Sequence, residues 1–473
     1  MVFNSLEFAV FVPIVFGAYW ATRGRLRSLV LLLASYAFYA FWDWRFLPLI
    51  ALSSAADYWI GIALAGSSEA SRRKRLLLLS VVVNIGLLSV FKYCDFFLQN
   101  LAGAFTFLGV PISISRLGLV LPVGISFYTF QKLSYTIDVY RGKLEPCRDP
   151  LHFFGYVAFF PTLLSGPIER ASNLLPQFAR QKTFEYAFAV DGLRQILWGL
   201  FKKVVVADGC AEVVNATFDA PGSHSASTLV FAAVLYSFQI YGDFSGYSDM
   251  AIGTARLLGI ELRNNFTFPY FARDIAEFWR RWHISLTSWF RDYLYIPLGG
   301  NRVSQLKTVR NTFIIFLVSG LWHGANWTFI VWGFLHALFF LPLLLSGKTR
   351  QHANDIVGRL PSPGEALRML WTFALVTIAW IFFRANDVQT AWAYLRGIAH
   401  PSLLSKPEDF QPKLLLFIAL MLVVEWLNRQ QAHGLSLGER QVATHYRWLG
   451  YLGLVFLIVV FGGTSGAFIY FQF

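Results

Sequence analysis

The residues best placed to do chemistry are three histidines. Residues 311–345 read NTFIIFLVSGLWHGANWTFIVWGFLHALFFLPLLL, with no formal charge, yet they hold His323, Asn326 and His336. An ionisable side chain at membrane depth is costly and by default marks a functional site. His323 lies in Gly320-Leu321-Trp322-His323-Gly324-Ala325-Asn326-Trp327. A neutral imidazole there can act as a general base near neutral pH. The flanking glycines would let a substrate approach the backbone closely, and Asn326, at i+3 on a helix, would share a face with His323. The competing reading is a buried histidine bonded to a nearby carbonyl. His336 follows thirteen residues later, about 220° around a straight helix. It would then point to another side, and a structural role fits it as well as a catalytic one unless the glycines break the helix.

The third histidine, His283, closes Trp279-Arg280-Arg281-Trp282-His283. This reads as an interfacial anchor, with Trp at the headgroup level and Arg on phosphate. The alternative has His283 pointing inward while Arg280, Arg281 and Arg291 bind an anionic cofactor, since guanidinium suits phosphate. Asn326, Trp322, Trp282, Arg280, Arg281, Arg291 and His336 are thus the candidate substrate-binding residues beside His323 and His283 as candidate catalytic ones. Asp243 and Asp249, in SFQIYGDFSGYSD, could relay protons, but hydrogen bonding to neighbouring hydroxyls explains them as well. Cys94, Cys147 and Cys210 are far apart, without metal-ligand or redox spacing. No Gly-x-Ser-x-Gly elbow, His-Glu-x-x-His or P-loop occurs. The sequons at Asn215, Asn265 and Asn326 are weak signals.

The elements that position these residues must be membrane helices. The chain has 473 residues, 56% hydrophobic and only 14% charged, against about 25% charged in soluble domains. Its long apolar runs reach the length of a spanning helix and lack the alternation of barrel strands. The expectation is an all-α polytopic bundle of about 11–13 membrane helices forming a single domain over 1–473. Its motif core covers about 120–345, and its C-terminal spans about 370–465. The net charge of +13 sits in short loops, Arg23–Arg27 and Arg72–Arg75, as the positive-inside rule expects, and no basic, aromatic-lined groove suggests nucleic acid. The apolar N-terminus reads as a retained first span. Further spans are read over Leu29–Phe41, Leu47–Leu64, Leu76–Tyr93, Leu117–Leu133, Leu370–Phe383, Leu414–Leu427 and Leu449–Gly462. Leu151–Pro167, with Pro161, Gly166 and Pro167, reads as a re-entrant or broken helix and not a full span. IAEFWRRWHISLTSWFRDYLYIPL, within the eight basic residues of Arg263–Arg310, reads as an amphipathic helix in the interface.

Phe278–Arg302 (FWRRWHISLTSWFRDYLYIPLGGNR) and Ser319–Leu338 (SGLWHGANWTFIVWGFLHAL) together resemble the membrane-bound O-acyltransferase (MBOAT) family. Pro122–Gly142, Phe159–Arg170 and Tyr241–Leu262 extend the resemblance over nearly the whole chain. The opening MVFNS, Ala379–Ala385 and the closing FIYFQF point to the bacterial alginate O-acetyltransferase branch, with the D-alanyl transferases of teichoic acid synthesis a less close match. The resemblance implies His323 as catalytic histidine and His283 as the second motif histidine. It implies acetyl-CoA as a donor entering from the cytoplasm, with no tightly bound cofactor and no metal. It also implies an inner-membrane location among lipid, a periplasmic partner acetyltransferase and an exopolysaccharide as final acceptor. A thioester is already activated, so the protein need supply only a base and a water-excluding site. The rival classes are a proton-coupled carrier, which would show internal repeats not found here, and a scaffold for a secretion complex, which would not need His323.

Overall fold

A computed structural model describes residues 1–353, 358, 360–438 and 442–462. The closing FIYFQF and the end of the region to 465 lie outside them. The described residues form helices joined by loops, with no strand, as lipid demands of a spanning backbone. Five helical stretches are long and apolar enough to cross a membrane: Gly24–Ala65, Ala70–Phe107, Trp327–Leu345, Pro363–Arg384 and Thr444–Phe461.

The chain forms two compact units. The first, residues 1–189 and 254–262, contains α1 (Leu6–Ala21), α2 (Gly24–Asp43), α3 (Leu47–Ala65), α4 (Ala70–Leu88), α5 (Cys94–Phe107), α6 (Ile125–Tyr140), α7 (Pro150–Ala158), α8 (Phe160–Leu163) and α9 (Ala171–Ala179). The span expected over Leu117–Leu133 is helical only from Ile125. Gly124 ends the preceding loop with φ +76°, and a Cβ there would run into the Leu163 carbonyl, so only glycine fits. The broken helix expected at Leu151–Pro167 is present: α7 stops at Ala158, Phe159 leaves the helical region with ψ 106°, and Pro161 sits in the first turn of α8, where its missing N–H does no harm. Polar glue joins α3, α4 and α6. Asp57 of α3 accepts from Asn84 (2.7 Å) and Ser80 of α4 and from Thr136 of α6 (3.3 Å), and it faces Lys132 at 3.7 Å.

The second unit, residues 190–253 and 263–473, comprises most of α10 (Tyr186–Leu200), α11 (Asp208–Asp219), most of α12 (Ala226–Leu257), α13 (Ile275–Arg281), α14 (Ile284–Phe290), α15 (Gln305–His323), α16 (Trp327–Leu345), α17 (Pro363–Arg384), α18 (Val388–Ile398), α19 (Pro412–Leu427) and α20 (Thr444–Phe461). A π-helical turn, Phe201–Ala207, follows α10 and carries Lys202 and Lys203. Asp249 and Asp243 of α12 meet these lysines at 2.6 and 2.7 Å, and Lys203 also pairs with Asp208. The acidic pair therefore answers buried lysines of another element, not only hydroxyls of its own segment. Close approach of α10 and α12 depends on glycine: a Cβ on Gly199 would meet the Gly246 carbonyl at 2.5 Å.

Candidate active site

Asn326 does not continue the helix of His323. α15 ends at His323, Gly324 is extended, and Asn326 is the N-cap of α16, its Oδ1 accepting from the Thr328 amide at 3.1 Å. Its Nδ2 donates to the Asn386 carbonyl at 2.8 Å. The expected i+3 pairing with His323 fails because the side chain caps a helix start, the common fate of asparagine before a new helix. The break also settles the 220° problem. α15 and α16 fold back as a hairpin, which brings His323 and His336 to the same indole, with Trp332 at 5.1 Å from His323 and 4.9 Å from His336 between ring centres.

The glycines serve that hairpin, not an approaching substrate. A Cβ on Gly320 would collide with the Phe329 carbonyl, one on Gly333 with the Phe316 carbonyl, and one on Gly324 with the Phe329 ring. Small residues at such crossings let membrane helices pack backbone to backbone.

His323 is 3% exposed and walled by Trp322, Trp332 and Phe383 at 5.0–5.3 Å between ring centres. Trp322 also reaches His283, 6.0 Å away. All three histidines therefore line one aromatic cluster of the second unit. His336 is fully buried, and its Nδ1 accepts from the Trp279 indole at 3.3 Å. Its ring is built into the wall.

His283 is not part of a continuous interfacial helix. α13 and α14 meet at it with φ +42°, and Ile275–Trp279, Trp282 and His283 are buried. A non-glycine residue there is uncommon and marks a held conformation. The holder is Asn265, which the sequence offered only as a sequon. Its carbonyl accepts from the Ile284 amide at 2.9 Å. Its side-chain Oδ1 accepts from the Ser285 amide at 3.3 Å and the Ser285 hydroxyl at 2.9 Å, and lies 3.0 Å from His283 Nδ1. A backbone amide can only donate, so the atom it meets is the carboxamide oxygen, and His283 Nδ1 must then carry the proton. The lone pair is left on His283 Nε2, which has no hydrogen-bond partner among the described residues.

The arginines divide. Arg280 and Arg291 line a cleft of about 330 Å³ with Arg350, over a floor that includes Trp279 and Phe316. Arg281 does not line it and pairs with Glu277 at 2.7 Å. Burial alone would raise the Glu277 carboxyl, but hydrogen bonds from Arg273 and the charge of Arg281 hold it below its usual range. Trp282 is likewise away from the cleft, stacked on Phe278 and tilted against Trp380 at 5.0 Å between ring centres. Thr312, Ile315, Phe316 and Ser319 give the cleft one face of α15, and His323 continues that face one turn beyond Ser319. From Thr312 to His323 the helix rises about 16 Å.

The profile of the membrane-bound O-acyltransferase family matches residues 147–356, a span that includes His283, His323 and His336. The chain is similar to the probable alginate O-acetylase of Azotobacter vinelandii, 41% identical over 395 residues, covering 83% of this chain and 77% of that one. It is also similar to the peptidoglycan O-acetyltransferase of Helicobacter pylori, 37% identical over 430 residues, covering 84% and 80%. The teichoic acid D-alanyltransferase of Bacillus subtilis is 31% identical over 229 residues, covering 46% and 57%. The multi-pass helical chain, with three histidines around one aromatic cluster, thus belongs to the membrane-bound O-acyltransferase family and is an acyltransferase.

Proposed function

We propose that the chain moves an acetyl group from cytoplasmic acetyl-CoA across the bacterial inner membrane for O-acetylation of an exopolysaccharide such as alginate. The observation that carries this reading is the placement of His323, buried among Trp322, Trp332 and Phe383 at the end of the α15 face that also lines the arginine cleft. Arg280, Arg291 and Arg350 meet the donor's phosphates, and its thioester arm runs along α15 toward His323. His323 takes the proton of the acceptor hydroxyl as its oxygen attacks the thioester carbonyl. The carbon–sulfur bond then breaks, and the proton returns to the departing thiolate. The aromatic wall keeps out water, which would hydrolyse the donor. His283, with its lone pair fixed on Nε2, accepts a hydrogen bond from the acceptor or from the donor's amide. The immediate acceptor passes the acetyl group to a periplasmic or membrane-anchored acetyltransferase that places it on the polymer.

A second reading is transfer of a D-alanyl or other acyl group to a cell-envelope polymer. The teichoic acid relative supports it, but over a smaller share of both chains than the two acetylating relatives. Inside-out vesicles carrying the chain distinguish the two. Labelled acetyl-CoA added outside should deliver label to a lumenal hydroxyl acceptor. Label that stays on the donor, with transfer restored only by a D-alanyl thioester, would overturn the acetyl reading.

A further inference from the structure

The first unit holds a second basic cavity that the acyl-transfer reading does not use. It measures about 710 Å³, within the range of small-molecule sites. Arg23, Arg25, Arg27, Arg180 and Lys182 line it, and no carboxylate is among its lining residues.

The state of each cation decides what the cavity wants. Arg27 donates to the carbonyls of Tyr19 (3.1 Å), Thr22 (2.9 Å) and Lys182 (2.9 Å). Lys182 donates to the Gly259 carbonyl. Carbonyls hold these heads in place without cancelling their charge. Arg25 lies 3.6 Å from Asp149 with its own side chain largely exposed, a loose pair worth little. Arg23 and Arg180 pair with no carboxylate among the described residues. Burial first, then the charges of Arg180 and Arg27, push the Lys182 amine down to about 8, against a smaller pull from Glu185 and Glu261. The cavity therefore concentrates positive charge that its own walls do not balance.

Its surroundings point to the class of anion. Trp20 lines the cavity, stacks under the Arg27 guanidinium at 4.9 Å, and ties its indole N–H to the Leu257 carbonyl at 3.0 Å. A tryptophan held at the end of an apolar helix, beside arginines, is the arrangement of a headgroup-level belt. The charge bias of the Arg23–Arg27 loop puts this end on the cytoplasmic side, where basic pockets between membrane helices take anionic headgroups. Guanidinium forks also match phosphate oxygens in pairs.

We propose that this cavity binds a phosphate-bearing anion, either the headgroup of an anionic phospholipid or a soluble phosphorylated molecule. Arg23 and Arg180 supply the unbalanced charge, and Arg27 and Lys182 supply the fixed frame. The test is thermal unfolding of the purified full chain in detergent doped with phosphatidylglycerol or phosphatidylcholine, or with added pyrophosphate. The comparison is with R23Q/R180Q, in which both changed side chains are exposed and the frame is left intact. Stabilisation of the wild type by phosphatidylglycerol over phosphatidylcholine, with the midpoint moved at least tenfold higher in the double variant, supports the site and names lipid as the source. The same pattern with pyrophosphate alone supports a soluble ligand. Response to neither probe, or equal response in wild type and R23Q/R180Q, overturns the proposal. The single variants R23Q and R180Q should each lose part of the response, and if neither differs from wild type the assignment fails as well.

Discussion

Replacing Asn265 tests how far the second histidine depends on its support. The Asn265 carboxamide oxygen serves three groups: His283 Nδ1, the Ser285 amide and the Ser285 hydroxyl. At about 0.5–1.5 kcal/mol net for each bond, Asn265→Leu should destabilise the fold by about 2–4 kcal/mol. Only the bond to His283 bears on its tautomer, and losing about 1.4 kcal/mol of orientation lowers kcat about tenfold. Asn265→Asp separates the two effects. The carboxylate keeps an acceptor for all three groups but loses the Nδ2 donor to the Ser248 hydroxyl (3.1 Å), so the variant should retain more stability than Asn265→Leu and less than wild type. It also favours a protonated His283, whose Nε2 then has no lone pair. Protonation persists to higher pH in this variant, so the acid limb of the rate profile should move upward. Relative to wild type, activity should be lost at a higher pH on the acid side and recover as the pH rises. Acyl transfer measured in reconstituted vesicles, normalised to folded protein, gives both numbers. A folded Asn265→Leu protein with wild-type kcat, or an Asn265→Asp profile that overlays the wild type, would refute this account of His283.

Other perturbations follow from the same geometry. Gly320→Ala places a methyl group against the Phe329 carbonyl and should destabilise the protein by about 2–3 kcal/mol, read as a lower unfolding temperature and a smaller folded fraction. Arg291→Gln combined with Arg350→Gln, both in the arginine cleft, should raise the donor's KM about tenfold with kcat little changed. A fall in kcat alone would move the phosphates elsewhere. Lys202→Met takes the 2.6 Å partner from part-buried Asp249, which keeps only Gln195, and the nearest cation from buried Glu425; it should cost about 2–4 kcal/mol, seen as loss of folded protein before any change in KM.

The helical membrane class was legible because it rests on composition and on apolar run length, which local sequence carries. The broken helix at Phe159 was legible too, since Pro161 and Gly166 mark it. The site was legible as residue types and not as geometry. His323 stood out because histidine is costly in an uncharged run. Its relation to Asn326 and His336 depended on whether the helix ends at Gly324, and a Gly-Ala-Asn step can continue a helix or cap the next one. The part played by Gly320 and Gly333 needed the facing carbonyls, which belong to the other arm of the hairpin. Asn265 was invisible for a similar reason. It is eighteen residues from His283, in a loop whose only local signal is a sequon. Asp243 and Asp249 were noticed, but their lysine partners sit about forty residues earlier, beyond any local pattern. Arg350 lay outside the motif that drew attention to Arg280 and Arg291, and only the cleft joins it to them.

The central claim is that His323 takes the proton of the attacking hydroxyl. Single-turnover acyl transfer by His323→Ala in vesicles tests it most directly, with membrane insertion and donor binding measured in the same preparation. A general base contributes about a hundredfold to ten-thousandfold, so the rate should fall by at least two orders of magnitude while donor affinity stays near wild type. A correctly inserted His323→Ala protein that binds donor and transfers the acyl group at the wild-type rate would contradict the account.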